Sequence, residues 1–262
     1  GRRFFYVNPL EVIPGISGVS PTHRHDLPVR PKWYACACCP PNAARLISSF
    51  GKYAYGENAD TAFCHLFAAG EISIANGMKF TCETKYPYDF TIYYKIEKGG
   101  RLAIRIPAWS RTFKVCINEN DTDVLPDKGY LYLDVSDGDT ICLTLDDTPQ
   151  FQYASSKIPA LSGKTALCRG PLVYCFEGID NADDVLSLSL KRGGNLNVSA
   201  YDENLLNGIV TISADALRRE ASDTLYSSDV PDEKPCQAVA VPYYTWGNRG
   251  ENQMRVWMNE TV

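Results

Sequence analysis

The chain has 262 residues, of which 45% are hydrophobic and 22% are charged, a balance that is typical of a globular protein. Its net charge of −5 argues against a nucleic-acid-binding protein, and no apolar run approaches the roughly 20 residues that a membrane-spanning helix needs. Ten cysteines are too few for a disulfide-stapled scaffold of this length, and most stand singly, which favours a reducing, cytoplasmic location.

The first 60 residues differ from the rest of the chain. A polar stretch leads to the run WYACACCPPN at residues 33–42. His23 and His25 in this stretch are interpreted as surface residues, with a place in the wall of a substrate cleft as the alternative. From Ala43 to Tyr55 apolar residues recur at helical spacing, and Asn42 is a favourable N-cap. The two prolines predict that the helix begins after them, so we expect the cysteines in a stiff loop before a helix N-terminus, where the dipole favours a thiolate. This segment is typical of the end of a helical domain whose body lies upstream.

From residue 61 onward the pattern changes to the period of two that is typical of strands. Apolar and polar residues alternate over residues 90–96, 102–106 and 141–145, and glycine-containing turns separate these runs. Weaker strand patterns follow over residues 165–176, 185–190, 208–212, 238–244 and 254–257, and residues 222–235 are predicted to form a surface loop. Many short strands separated by turns predict antiparallel β-sandwiches.

Three cysteines within four residues, Cys36, Cys38 and Cys39, are the strongest chemical signal in the chain. Thiols so close together oxidise, bind metal or act as nucleophiles. From the residues alone, an inert or structural metal role and a catalytic role are about equally supported. A thiol redox protein is a third interpretation, but it would need a thioredoxin-like context that this sequence does not show.

Other candidate residues carry weaker signals. Tyr6 and Asn8 lie near the cysteines in the sequence and are candidates for lining a substrate pocket, although a turn role is also open for Asn8, which precedes a proline. His65 is interpreted as structural. Trp109 and Trp246 are expected in a sandwich core or a domain interface, with stacking on a sugar as the alternative.

The run Ala37-Cys38-Cys39-Pro40-Pro41-Asn42, followed by Arg45, strongly resembles the signature of glycoside hydrolase family 127, the β-L-arabinofuranosidase family. Further segments resemble the family in the same order along the whole chain. These segments are residues 5–10, residues 105–109, residues 169–174 with Glu177, and residues 242–250.

The resemblance implies a mainly β chain with two antiparallel β-sandwich domains, preceded by a short helical remnant of an (α/α)6-barrel catalytic domain. Residues 1–60 would form the end of the barrel and carry the cysteine loop. Residues 61–150 would form β-sandwich domain I, and residues 151–262 would form β-sandwich domain II. The chain would then be the C-terminal portion of a longer enzyme, which we expect to be bacterial.

The resemblance also implies a zinc-dependent, retaining β-L-arabinofuranosidase with a cysteine nucleophile. Cys38 matches the nucleophile and a zinc ligand, and Cys39 matches a second zinc ligand. Cys36 has no role in this match, and a role in packing or in supporting the zinc ligands is expected for it. A further cysteine, a glutamate ligand and the glutamate acid/base would lie upstream, so the isolated chain is expected to be inactive. The expected partners are an L-arabinofuranose-containing glycan, the missing barrel and, as an option, a second copy in a homodimer. The alternative is a non-catalytic carbohydrate-binding or structural module with a structural zinc–thiolate site.

Overall fold

A computed structural model of the chain describes residues 7–19, 21, 26–32, 38–222 and 224–261. The chain forms two compact units. The first β unit is Cys38–Thr148, and the second β unit combines the described residues up to residue 32 with those from Pro149 onward. Within the described ranges, no helix has the length and apolar character needed to cross a membrane.

The helices and strands are numbered in chain order. The helices are α1 (Cys39–Ser48) and α2 (Gly51–Ala54), and short 3-10 turns cover Pro159–Leu161, Gly178–Asp180 and Tyr243–Thr245. The strands are β1 (Glu11–Val12), β2 (Tyr55–Glu57), β3 (Thr61–Cys64), β4 (Gly70–Ser73), β5 (Lys79–Thr84), β6 (Thr91–Lys98), β7 (Gly100–Arg105), β8 (Phe113–Ile117), β9 (Asn120–Thr122), β10 (Tyr130–Val135), β11 (Thr140–Leu145), β12 (Pro149–Tyr153), β13 (Lys164–Arg169), β14 (Leu172–Glu177), β15 (Leu188–Lys191), β16 (Leu196–Val198), β17 (Ile212–Arg219), β18 (Glu233–Pro242), β19 (Met254–Arg255) and β20 (Met258–Thr261).

The first β unit contains a four-stranded sheet, in the order β10-β7-β3-β2, and a six-stranded sheet, in the order β4-β5-β6-β11-β8-β9. The alternation in the sequence explains how they pack. On β6 the side chains of Ile92, Tyr94 and Ile96 are buried, whereas those of Tyr93 and Lys95 are exposed. The inward side chains of both sheets form one apolar core. Strand β7 runs parallel to β3, and the antiparallel strands β4, β5 and β6 of the other sheet lie between them in the chain.

The second β unit is built on one sheet of ten strands. Hydrogen bonding runs from β14 through β18, β17, β15 and β20 to β13, and β13 pairs with β14 again, so the sheet closes on itself around an apolar core. Gly170, at φ 55°, makes the turn between β13 and β14, a conformation in which a Cβ is unfavourable. The N-terminal strand β1 joins this unit by pairing antiparallel to β19.

The mainly β prediction is confirmed, and the three strongest period-two runs correspond to β6, β7 and β11. Residues 208–212 largely precede a strand, since β17 begins only at Ile212. Trp109 stacks on Tyr86, with ring centroids 6.4 Å apart, and Trp246 is buried, so both tryptophans pack as expected. The division into residues 1–60, 61–150 and 151–262 stays a prediction.

Candidate active site

A pair of adjacent thiols lies at the start of α1. The Sγ atoms of Cys38 and Cys39 are 3.7 Å apart, and both residues are exposed. Both thiols are reduced. Cys38 is the N-cap residue and already has helical dihedral angles, φ −73° and ψ −39°. The pair therefore sits at the end of a helix where unpaired N–H groups and the helix dipole favour an anion.

The prediction that the prolines keep the helix away from the cysteines, with Asn42 as its N-cap, is wrong. Helix α1 begins at Cys39, and the two prolines lie in its first turn. Proline is tolerated there because the first N–H groups of a helix have no partner within the helix in any case. The chain thus accommodates Pro40 and Pro41 without losing a helical hydrogen bond.

Asn42 has a different role from the predicted one. Its side-chain Nδ2 donates a hydrogen bond to the carbonyl oxygen of Cys38 at 3.0 Å, and the guanidinium of Arg45 donates to its Oδ1 at 2.7 Å. Arg45 therefore orients the Asn42 amide, and the amide holds the backbone of Cys38. The sequence signal for this arrangement is the spacing of the three residues, which places Cys38, Asn42 and Arg45 on one side of the helix.

The thiol pair has a separation that suits zinc. Two thiolates bound tetrahedrally at about 2.3 Å lie roughly 3.8 Å apart, which matches the observed 3.7 Å between Cys38 Sγ and Cys39 Sγ. Within the described part of the chain, no group of three or more His, Cys, Asp or Glu side chains is arranged to hold a metal ion. Cys38 and Cys39 can thus supply two of the four ligands of a zinc site.

Apolar side chains are exposed along α1 and α2. Leu46, Ile47, Phe50 and Tyr53 are exposed, and Ile47 has 75% of its surface accessible. Beside Phe50 a groove of about 450 Å³ continues along Ala54, Tyr55 and residues 68–74. Single exposed apolar residues are ordinary, but four so close together along α1 and α2 indicate a surface that packs against further protein.

The remaining candidate residues fall into two groups. Asn8 is exposed and belongs to the second β unit, so its role in a substrate pocket stays a prediction. Tyr6, Cys36, His23 and His25 lie outside the described residues.

His65 follows β3, and its Nδ1 forms a hydrogen bond of 2.7 Å with the hydroxyl of Tyr130. Its ring stacks on that of Phe63. Burial and then the Arg105 charge lower the pKa of His65. These contacts agree with the structural role predicted for it.

A buried charge cluster in the second β unit was not predicted. Glu177 is fully buried, and it accepts hydrogen bonds from the backbone N–H of Gly247 at 2.9 Å and from the guanidinium of Arg249 at 2.5 Å. Asp180 accepts a further bond from Arg249 at 2.8 Å. Both Glu177 and Arg249 lie in segments on which the family resemblance rests, and in this structure they tie two loops together.

Comparisons with known proteins agree on one family. The model of the β-L-arabinofuranosidase GH127 middle domain matches residues 61–147, and the model of the glycoside hydrolase family 127 C-terminal domain matches residues 149–259. A curated protein of Bifidobacterium longum subsp. longum, named non-reducing end beta-L-arabinofuranosidase, is 35% identical over 98% of this chain and 42% of its own length.

Solved structures give the same result. The crystal structure of a GH127 β-L-arabinofuranosidase from Geobacillus stearothermophilus T6 has a TM-score of 0.92 at 40% identity, and the match covers all of this chain and 43% of that chain. A second GH127 β-arabinofuranosidase has a TM-score of 0.87 at 28% identity, with the same coverage. This chain thus spans less than half the length of these relatives. Because the two family models together match well over half of its residues, the chain belongs to glycoside hydrolase family 127.

Proposed function

We propose that this chain is the C-terminal part of a retaining glycoside hydrolase that cleaves β-L-arabinofuranosides, with Cys38 as its nucleophile. The observation that carries the proposal is the exposed thiol pair at the start of α1, with its 3.7 Å separation, in a chain of this family. The names of the curated relative and of the two similar structures support the substrate class.

In this proposal Cys38 and Cys39 are two ligands of a zinc ion, and the remaining cysteine and glutamate ligands come from the upstream part of the protein. Bound zinc would keep the thiols deprotonated at neutral pH, which a nucleophilic sulfur requires. The residues of this chain hold the nucleophile in place. The Asn42 amide, oriented by Arg45, holds the Cys38 carbonyl and with it the first residue of the site.

The Cys38 sulfur attacks the anomeric carbon of the arabinofuranose, and the glycosidic oxygen leaves with a proton from an upstream glutamate. The resulting thioglycosyl group on Cys38 is released by a water molecule that the same glutamate activates. Two displacements on one carbon retain its configuration. The helix N-terminus favours negative charge on the departing sulfur in the second step.

The exposed apolar side chains along α1 and α2 fit the same proposal. Leu46, Ile47 and Phe50 would pack against the upstream helices of an (α/α)6-barrel, which would also bring the missing ligands to Cys38 and Cys39. The isolated chain would then be inactive and retain little zinc, because two ligands close only half a site. We place the enzyme in the cytoplasm, since most cysteines of this chain stand singly in the sequence, a pattern that favours a reducing compartment.

The test is hydrolysis of a chromogenic β-L-arabinofuranoside by the full-length protein, compared with its Cys38→Ser, Cys39→Ser and Cys236→Ser variants. Cys236 is a half-buried thiol on β18 and serves as the matched control. We expect Cys38→Ser to lower kcat by roughly 10⁴-fold or more, as loss of a nucleophile does. Zinc content, measured by elemental analysis, should fall in both site variants and stay unchanged in the control.

Turnover that survives in Cys38→Ser would contradict the nucleophile assignment. If the wild type also failed to cleave arabinofuranosides while zinc content still depended on Cys38 and Cys39, the pair would be a structural zinc–thiolate site. The β units would then be better described as a carbohydrate-binding or structural module.

A further inference from the structure

A second pair of cysteines, Cys116 and Cys142, lies on the outer face of the six-stranded sheet. Both are far from the cysteines of α1 in the sequence. The strand register places Tyr93 of β6 opposite Cys142 of β11, Cys142 opposite Cys116 of β8, and Cys116 opposite Asp121 of β9. Both thiols are half-buried. They line a groove of about 400 Å³ together with Tyr93 and Lys95.

The backbone pairing brings the two cysteines within disulfide range. The N–H of Asn118 donates to the carbonyl of Thr140 at 2.9 Å, and the N–H of Thr140 donates to Asn118 Oδ1, so these two residues occupy a hydrogen-bonded position of the ladder. Cys116 and Cys142 lie two residues further along the same antiparallel strands and are therefore a pair of the same kind. Such pairs have Cα atoms about 5.5 Å apart, within the range of roughly 4.4–6.8 Å that a disulfide spans.

Asp121 restrains one of the two thiols. The Cys116 Sγ donates a hydrogen bond to Asp121 Oδ1 at 3.0 Å, and Lys114 Nζ lies 3.0 Å from Asp121 Oδ2. This hydrogen bond, followed by partial burial, raises the pKa of the Cys116 thiol. The Cys116 side chain must leave Asp121 and turn toward Cys142 before the two sulfurs can bond.

We propose that Cys116 and Cys142 form a redox-sensitive cross-strand pair, which low-molecular-weight disulfides such as oxidised glutathione convert to an intramolecular disulfide. This modification site is independent of the proposed active site. The open groove beside Tyr93 and Lys95 admits the small disulfide to Cys142, and the neighbouring strand presents the second thiol directly opposite.

The chemistry balances with one oxidant molecule. Cys142 loses its proton to solvent, and its sulfur attacks one sulfur of oxidised glutathione, which breaks the S–S bond and releases one glutathione. Cys116 then loses its proton, leaves Asp121 and attacks Cys142 Sγ, which releases the second glutathione. Two protein thiols are oxidised to one disulfide, and one glutathione disulfide is reduced to two thiols.

The experiment exposes the full-length protein to oxidised glutathione, blocks remaining thiols with N-ethylmaleimide and maps tryptic peptides by mass spectrometry without reduction. Cleavage after Lys114, Lys128 and Lys157 leaves Cys116 and Cys142 as single cysteines in peptides 115–128 and 129–157. We expect these two peptides to be joined by a disulfide in the wild type. In the Cys116→Ser variant, glutathione should instead remain attached to Cys142.

Asp121→Asn provides a second readout. Without the carboxylate the Cys116 thiolate forms more readily, and each unit of lowered pKa should speed closure about threefold, because the gain in thiolate outweighs its lower nucleophilicity. The intermediate with glutathione on Cys142 should then be shorter-lived. If the wild type carried glutathione on Cys142 and yielded no disulfide-joined peptides, the proposed pairing of Cys116 with Cys142 would be overturned. Closure that is equally fast or slower in Asp121→Asn would overturn the role of Asp121.

Discussion

Removal of Arg249 should destabilise the protein more than removal of any surface ion pair. Glu177 is fully buried, and its charge is balanced by Arg249, whose side chain is 17% exposed. In an Arg249→Met variant Glu177 keeps the hydrogen bond from Gly247 N–H but loses its counter-charge in a site without solvent. The variant retains a side chain of similar length, so the lost charge is the main change.

The expected cost of this variant is about 3–5 kcal/mol of unfolding free energy, the usual range for breaking a buried pair by removing one partner. Glu177→Gln should cost only about 1–3 kcal/mol, since an amide oxygen can still accept from Gly247 and Arg249 keeps Asp180. The double variant should lose less stability than Arg249→Met alone, because it leaves no buried unpaired charge.

Differential scanning calorimetry of the full-length protein measures the effect. At about 2–4 °C per kcal/mol, Arg249→Met should lower the Tm by roughly 10 °C. Lys95→Met is the control. Lys95 Nζ lies 2.6 Å from Glu83 Oε1, but both side chains are more than half exposed, so the cost should stay below about 1 kcal/mol. Equal shifts in Arg249→Met and Lys95→Met would refute the reasoning, as would a double variant less stable than Arg249→Met.

Three further predictions concern other parts of the fold. Tyr94→Phe should change stability by less than about 1 kcal/mol, because the buried hydroxyl of Tyr94 faces only the weakly hydrogen-bonding thiols of Cys64 and Cys82. Tyr174→Phe should cost about 1 kcal/mol, since its hydroxyl donates to the Val210 carbonyl. Denaturant titration compares the two. The fold lowers the pKa of His65, so as the pH falls the histidine of the unfolded chain takes up a proton before the folded one does. His65 should therefore reduce stability below about pH 6.5. His65→Gln should remove this loss from a pH–stability profile. The isolated chain should bind a hydrophobic dye, and Ile47→Ser should lower the fluorescence; equal fluorescence in both proteins would contradict an open α1 face.

The sequence predicts the strands well where one face of a sheet is buried. The alternation of Ile92, Tyr94 and Ile96 with exposed residues leaves one consistent register for β6. The closure of the second sheet through β13 and β14 could not be predicted in this way, because it depends on pairing between distant segments and leaves no local period. The same holds for the contact between Glu177 and Arg249, which are far apart in the chain and come together only through the loop at Gly247.

The candidate site shows a different limit of sequence reasoning. The residue types are sufficient to predict a thiol site at a helix N-terminus, but proline's helix-breaking propensity places the helix start too late in the chain. In the first turn proline loses nothing. The propensity of Asn42 predicts a capping role, whereas in the structure its Nδ2 donates to the Cys38 carbonyl and its Oδ1 accepts from Arg45. Propensity describes what a side chain can do locally, and the choice between two local partners depends on neighbours such as Arg45.

The misplaced helix start bears directly on how two adjacent thiols can converge. Within a regular helix, consecutive side chains point about 100° apart and cannot reach one ion. Every side chain of a helix, however, leans toward the helix N-terminus, over the turn that precedes it. Cys38 and Cys39 stand at the start of α1, so both sulfurs can extend beyond the helix end and approach to 3.7 Å. A helix that begins at the cysteines, with prolines in its first turn, is therefore a suitable frame for a two-thiolate site, in place of the stiff loop that the sequence predicts.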